Sequence, residues 1–464
     1  MGDPVMPAAG PDAPGGAGAF TDGSAVAGLI DYLAASPSPF HACATSARLL
    51  ASAGFTAVTE TNAFPTDPGR YYLIRGGSLV AWSSEWAAGP ATPMRVVGAH
   101  TDSPNLRIKP QPGLTRAGWQ QLGVEVYGGP LLNSWLDRDL GISGRISVRA
   151  PAVAGSDCRA AGVDPAGVAT VLVRVDEPVL RVPQLAIHLD RAVTTDGVKL
   201  NAQQHLAPIW GIGSDAPDLA AFLADRIGVE TADVLGWDLM THDTAPARRI
   251  GARGEFVAGG RMDNLATSFA GTRALIEAVS AGEPSSPLVP VLVLFDHEEV
   301  GSTSERGANS DLLPATVERI VTAAGGTRED YLRAMAGSVV ASGDMAHATH
   351  PNYAELHEPA HQIGIDKGPV LKINSQLRYA TGAPGAAAFA LACEQAGVPM
   401  QRFVMRSDLP CGSTVGPLTA AHTGAQTVDF GAAMLSMHSA RELVGAADQD
   451  RYVAALTAFL SPAG

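Results

Sequence analysis

The amino-acid sequence predicts an α/β domain interrupted by a β-rich insert, and three observations lead there. In both flanking thirds of the chain, apolar residues at helical spacing alternate with short strand-like runs. Most of those runs are continuously apolar rather than alternating, as expected of a parallel sheet covered by helices on both faces. Between about Lys109 and Arg253 the texture changes to short strand-like runs punctuated by Gly and Pro, with few helical crossovers. At 464 residues the chain also exceeds one ordinary hydrophobic core, so two domains, or one domain with a large insert, is the natural organisation.

The elements follow in order. Residues 1–20 hold five Gly, four Pro and five Ala, with no basic start and no apolar run, and read as a flexible extension rather than a signal peptide. Ser24–Ala35 and Pro39–Ala53 carry apolar residues at helical spacing (Leu29, Ile30, Leu33; then Cys43, Ala47, Leu50). Tyr71–Arg75 and Ser78–Ser83 read as a strand pair turning at Gly76-Gly77, and Met94–Ala99 as a short buried strand ending at His100. In the middle third, Gly123–Tyr127, Gly144–Arg149 and Gly167–Val175 read as strands and Pro217–Ile227 as a helix. After Ile250 the alternation resumes: helix Asn264–Ala281, strand Leu288–Phe295, strand Ser338–Ser342, helix Pro384–Gln395 and strand Arg402–Arg406.

Composition excludes several classes. The net charge of −14, with no Lys/Arg cluster, disfavours nucleic acid and anionic membranes as partners. No run of about 18 apolar residues occurs, so no membrane span is expected. Cys43, Cys158, Cys393 and Cys411 are widely spaced without a Cys-x-x-Cys, which points to a reducing, cytoplasmic setting rather than a disulfide framework. Hydrophobic residues reach 46% while charged ones are only 17%, a balance that favours further burial in subunit contacts.

The chemistry concentrates where apolar runs end. Leu288–Phe295 runs straight into Asp296-His-Glu-Glu299, and ligands in open α/β sheets gather beyond the carboxyl ends of strands. Read as extended chain, Glu298 and Glu299 point to opposite sides, so one can ligate a metal while the other acts as a base; a solvated strand end is the alternative. Met94–Ala99 runs into His100-Thr-Asp102, a spacing that lets a carboxylate hold the far nitrogen of a ligating imidazole. Asp263 follows Gly259-Gly260 at the mouth of a helix, where a helix cap is the simpler reading. Ser338–Ser342 leads to Asp344 and His347, and Leu435-Ser-Met-His438 supplies a further histidine.

Together, two histidines and three carboxylates are what a pair of divalent ions needs: a bridging Asp, then one His and one carboxylate per ion, with positions left for water and substrate. Mixed N/O ligation suits Zn²⁺, with Mn²⁺ or Co²⁺ as alternatives. Ions about 3.5–4 Å apart polarise a carbonyl and activate water. A competing nucleophile has little support: there is no Gly-x-Ser-x-Gly, and Cys411 in Asp408-Leu-Pro-Cys-Gly-Ser-Thr has no obvious partner histidine. Gly-x-Gly-x-x-Gly and P-loop patterns are also absent.

Four segments carry a family resemblance: Gly98-Ala-His-Thr-Asp-Ser-Pro-Asn-Leu-Arg-Ile-Lys109, Asp296-His-Glu-Glu-Val-Gly-Ser302, Asp344-Met-Ala-His-Ala348 with His350-Pro-Asn-Tyr353, and Met437-His-Ser-Ala-Arg-Glu442. In this order, from about Ala25 to about Leu460, they resemble the aspartyl aminopeptidase family of two-zinc metallopeptidases. The resemblance implies a zinc-aminopeptidase-like mixed sheet sandwiched by helices (21–108 and 254–464), with an inserted β-rich dimerisation and substrate-gating domain (109–253). It implies that Asp263 bridges the ions, that His100 and Asp344 complete one, and that Glu299 and His438 complete the other. Glu298 becomes the general base and Asp102 the carboxylate that orients His100. The positions of His347 and Lys372 line the substrate pocket, Lys372 being the cation that meets an acidic side chain. By the same resemblance, His188 would reach from the insert into a neighbour's active site, and dimers would assemble into a tetrahedral dodecamer. The stretch before Phe20 has no counterpart in the family, and Ala150–Ala166 looks like a variable loop within the insert.

The expected activity is removal of N-terminal residues, preferentially Asp or Glu, from short peptides. A two-metal deacylase or phosphoesterase, or an aminopeptidase of different side-chain preference, would use the same ligands. A catalytically silent assembly protein would lack Glu298 or a ligand, and none is missing.

Overall fold

In the computed structural model the described residues are 24–153, 160–163, 166–213 and 216–463. The predicted extension 1–20 and Cys158 lie outside them. The central sheet has nine strands, in the order Thr56–Ala57, Arg70–Arg75, Ser78–Ser83, Val289–Phe295, Met94–His100, Val339–Gly343, Gln426–Gly431, Val370–Ile373 and Gln401–Val404. The middle four run parallel; three of them match expected apolar runs, while Gln426–Gly431, with Thr427 and Asp429 buried, had no expectation behind it. The hairpin Arg70–Ser83 and the strand Val370–Ile373 join antiparallel, so the sheet is mixed rather than wholly parallel.

Alternation along each strand divides the interior into two cores. Val291, Val293 and Phe295 enter one, with Leu312, Val317 and Tyr331 from helices Leu312–Ala323 and Arg328–Ala336. Leu292 and Leu294 enter the other, with Phe269, Leu275, Tyr452 and Leu456 from helices Met262–Ala281 and Ala446–Leu460. Helices Ala25–Ala35 and Pro39–Ser52 pack on this second core, their starts capped by Ser24 and Ser38, with Pro39 in the first turn.

The middle third forms its own seven-stranded sheet, in the order Ile209–Ile212, Trp119–Tyr127, Asn105–Arg116, Val234–Asp243, Asp139–Arg149, Val168–Arg181 and Ala160–Val163. Ile209 also pairs with Arg181, which closes six of these strands into a barrel and removes two exposed edges. Its interior is a separate cluster including Leu106, Val124, Ile142, Ile146 and Val173. Helix Leu219–Ile227 packs Leu219, Leu223 and Ile227 against it, the i, i+4, i+8 stripe of its sequence. The strands Asn105–Arg116 and Val234–Asp243 carry alternating polar residues and were not legible as runs. Within the expected loop Ala150–Ala166, Ala150–Val153 is a single helical turn and Ala160–Val163 a strand.

A third, five-stranded sheet had no expectation behind it. It orders Arg248–Ile250, Phe256–Gly259, Glu442–Gly445, Ala433–Leu435 and Ala346–His347. Each strand is two to four residues long, too short to show a period. Among the described residues no helix is long and apolar enough to cross a membrane, and Cys43, Cys393 and Cys411 are free thiols.

Candidate metal centre

The register of the parallel strands levels their carboxyl ends: His100 pairs with Phe295, Ala99 with Leu294, and Gly98 with Ser342. Three chemistry-bearing segments therefore leave the sheet at one height, with Asp344 directly after Gly343. The small third sheet brings in the rest, since Phe256–Gly259 leads to Asp263 and Ala433–Leu435 leads to His438.

The loop after Phe295 differs from the extended chain expected for it. His297 takes a left-handed conformation (φ 66°), and Glu298–Val300 winds into a 3₁₀ turn ending at Gly301 (φ 94°). The two glutamates thus diverge around a turn rather than across a pleat. Asp102 explains why: its carboxylate accepts the backbone N–H groups of both Glu298 and Glu299, each at 3.1 Å, anchoring the start of the turn. Asp296 and His297 brace the turn from behind. Buried Asp296 accepts from the guanidinium of buried Arg306 at 2.8 Å, and His297 Nδ1 lies 2.8 Å from Ser304 Oγ.

Asp263 is not a helix cap. Its backbone (φ −84°, ψ 102°) interrupts the first turn of helix Met262–Ala281, and its Oδ1 is buried without a hydrogen-bond partner. Nor do the preceding glycines supply a left-handed step, which falls on Arg261 (φ 64°). Gly260 is needed for space: a Cβ there would sit 2.8 Å from the carbonyl oxygen of Ala440.

Around Asp263 the side chains converge. His100 Nε2 lies 3.5 Å from Asp263 Oδ1, 3.6 Å from Asp344 Oδ1 and 4.0 Å from Glu298 Oε2. His438 Nε2 lies 3.3 Å from Asp263 Oδ2 and 3.4 Å from Glu299 Oε2. The far nitrogens are held as well. His100 Nδ1 is 3.0 Å from the Asp102 carbonyl and 3.4 Å from its carboxylate, and His438 Nδ1 is 3.0 Å from the Gly129 carbonyl. Ligand atoms fall into three overlapping triads within 4.8 Å: His100, Asp263 and Asp344; His100, Glu298 and Glu299; Asp263, Glu299 and His438.

So many carboxylates in a buried space distort proton affinities. Burial raises Glu298 to about 8, with Asp344, Asp102 and Asp263 adding to the effect against the pull of His100. Burial and the neighbouring Asp263 push Glu299 well above its usual range. Burial works against the charged imidazoles, but Asp263 outweighs it and lifts His438 to about 9. The same contest, with Asp102, Asp263 and Asp344, leaves His100 well above its normal value. Asp263 Oδ1 and Glu299 Oε1 remain buried without a hydrogen-bond partner, which is costly unless a cation meets them. Two imidazole nitrogens beside carboxylates that carry unpaired oxygens form a mixed N/O donor set that fits a divalent metal.

Of the other residues named from the sequence, Lys372 stands against this cluster and His188 does not. Lys372 is buried, not a surface lysine: Nζ donates to the carbonyls of Asp344 (3.2 Å) and Met345 (3.0 Å), and lies 3.6 Å from Asp344 Oδ2. His347 is exposed at the rim, its ring 6.3 Å from that of Phe403. His188 sits in an exposed turn rather than a strand and enters none of the contacts that hold the cluster. Two positioning groups escaped the sequence reading. Buried Glu442 accepts the backbone N–H groups of Asp263 (3.1 Å) and His438 (2.9 Å). Tyr127 donates its hydroxyl to Asp102 Oδ2 at 2.7 Å. Glu442 lies four residues after His438, within reach of notice; Tyr127 has no local signal.

Residues 32–460 match the model of the aminopeptidase I zinc metalloprotease family, M18. The chain belongs to the M18 aminopeptidase family. It is 54% identical over 438 residues to a probable M18 family aminopeptidase 2 of Mycobacterium bovis, covering 94% of this chain and 97% of that one. A Streptomyces coelicolor protein of the same description is 52% identical over 436 residues, covering 94% and 97%. Among solved structures, an Ape4 and Nbr1 complex contains a chain 34% identical with a TM-score of 0.86, over 95% of this chain and 86% of that one. The S. cerevisiae mApe1 dodecamer gives 28% identity and a TM-score of 0.78, over 94% and 95%. As an M18 aminopeptidase the protein is a metal-dependent hydrolase of peptide bonds, and the mixed α/β fold is that of its family.

Proposed function

We propose that the protein removes N-terminal residues, preferentially Asp or Glu, from short peptides at a centre of two divalent ions, Zn²⁺ before Mn²⁺ or Co²⁺. The observation that carries this reading is the place of Asp263, which belongs to two of the three triads, one with His100 and Asp344 and one with Glu299 and His438. A shared carboxylate between two His-carboxylate pairs is the donor arrangement of a bridged pair. When bound, such ions polarise the scissile carbonyl and lower the pKa of water.

The chain's own residues do the remaining work. Glu298, at the cluster but outside both Asp263 triads, takes the proton from the attacking water and delivers it to the leaving amine. Asp102 orients His100 and, by holding the Glu298 and Glu299 amides, sets the aim of both glutamates. His347 at the rim and Lys372 below it face the first side chain of the peptide. Because Lys372 already pairs with Asp344, its discrimination between acidic and neutral side chains acts through the edge of an existing ion pair.

The barrel is read as the dimerisation and gating unit. His188 lies in it among exposed Leu185, Ile187 and Leu189, an apolar turn suited to burial against a second copy whose site His188 would complete. Assembly of such dimers into a dodecamer follows by likeness to the yeast neighbour. The metal-reconstituted protein should be assayed against a complete set of N-terminal aminoacyl peptides and against N-acyl substrates. Highest kcat/KM on Asp and Glu is the expected outcome, and turnover confined to acyl substrates would replace this reading by a deacylase.

A further inference from the structure

We infer that the barrel holds both histidine arms of the metal cluster in place from within the same chain, with Tyr127 and the Gly129 carbonyl as positioning groups. The inference rests on the metal centre proposed above and adds a role for the barrel distinct from assembly.

Three residues after Asp102 the chain enters strand Asn105–Arg116, whose antiparallel partner Trp119–Tyr127 brings it back with Tyr127 opposite Asn105. That register returns the phenol to the level of Asp102, where it donates to Oδ2 at 2.7 Å. The Arg107 guanidinium stacks 3.9 Å from the ring centroid, and both Asp102 and Tyr127 are buried. Burial and the adjacent Asp102 carboxylate keep the phenol protonated, so toward that carboxylate it is the donor.

The next residues cross to the other arm. Gly128 (φ 70°) passes so close that a Cβ would lie 3.1 Å from Glu299 Cβ. The Gly129 carbonyl can only accept, so His438 Nδ1 carries a proton, and Nε2 is the nitrogen that faces Asp263 and Glu299 and is placed to meet a metal. Leu131 N–H then donates to the His438 carbonyl at 2.9 Å, and Ser134 Oγ accepts the Ala440 N–H at 2.8 Å. One eight-residue stretch of the barrel unit therefore touches the carboxylate behind His100, the backbone beside Glu299, and the far nitrogen of His438. Such partners fix ring orientation and donor basicity, and their removal typically costs about 10–100-fold in metal affinity or activity.

Tyr127→Phe keeps the ring and removes only the hydrogen bond. Metal-free wild type, Tyr127→Phe and Asp263→Asn should be titrated with Co²⁺ against a competing chelator, following the visible absorption of the bound ion, with kcat and KM at saturating metal and the melting temperature of each metal-free protein. Tyr127→Phe is expected to weaken Co²⁺ binding by about 10–100-fold, to alter the absorption band, and to lower kcat more than KM, with the metal-free melting temperature held. Unchanged affinity and spectrum would overturn the inference, as would an affinity loss that merely tracks a fall in metal-free stability. Should Asp263→Asn bind Co²⁺ as wild type does, the metal-centre reading itself fails, a result separable from either outcome for Tyr127.

Discussion

Asp263 faces both histidines of the cluster, its Oδ1 3.5 Å from His100 Nε2 and its Oδ2 3.3 Å from His438 Nε2. An amide in its place keeps the volume but removes the one negative charge common to both pairs. Asp263→Asn is therefore expected to lose most of its bound metal, measured by elemental analysis after desalting. Retention at the wild-type level would contradict the bridging role.

Glu298 touches the cluster from the outside, 4.0 Å from His100 Nε2, with burial raising its proton affinity. Glu298→Gln should keep metal at wild-type occupancy while kcat falls by roughly 10²–10⁴-fold, the usual worth of a positioned general base. Near-normal kcat would end the assignment.

Lys372 is buried against the Asp344 and Met345 carbonyls, with Tyr379 4.8 Å from its ammonium. Lys372→Met should lower kcat/KM for Asp and Glu substrates at least about tenfold more than for Ala or Leu, since a lost buried charge partner costs about 2–5 kcal/mol. An equal fall across all substrates would show that the lysine supports Asp344 and does not select the side chain.

His188 stands in an exposed turn, apart from the cluster of its own chain. His188→Ala is expected to cut kcat/KM while metal content and the particle size measured by light scattering stay constant. Unchanged kinetics would remove the neighbour-subunit role.

His41 offers a pH-dependent readout away from the metal. Burial, with Arg174, His242 and Arg261 nearby and only Asp176 opposing, lowers its imidazole from 6.5 to about 3. Between those values the unfolded chain binds a proton that the folded one refuses. The stabilisation is therefore complete above pH 6.5 and is lost as pH falls toward 3, by about 1.4 kcal/mol for each step of one in pH. In metal-free protein, melting temperatures from pH 7 to 4 should fall less steeply for His41→Gln than for wild type; parallel curves would refute the burial of a neutral ring.

The sequence reading reached most elements of the main sheet because their strands are continuous apolar runs. Val289–Phe295 and Met94–His100 differ from expectation by one residue at an end. It reached His100, Asp102, Glu298, Glu299, Asp344 and His438 as candidates because polar residues just beyond apolar runs are costly unless used, while Asp263 alone read as a helix cap and joined the set only in combination with them. The barrel was legible only as a β-rich texture, since Asn105–Arg116 and Val234–Asp243 mix polar and apolar residues, and its closure depends on the single pairing of Ile209 with Arg181. The extended conformation expected at Asp296–Glu299 failed because a distant carboxylate, that of Asp102, organises two amides into a turn.

By itself the sequence determined the α/β class, the interruption by a β-rich segment and the set of ionisable residues from which a metal centre can be assembled, because burial and strand periodicity are written locally. Only the tertiary structure decided that His100 and His438, 338 positions apart, turn their Nε2 atoms toward one aspartate. It alone brought Glu442, Gly129 and Tyr127 behind them. Those relations depend on strand register and on short strands of the third sheet, where the partner that satisfies each buried polar group comes from far along the chain and leaves no mark in the neighbouring residues.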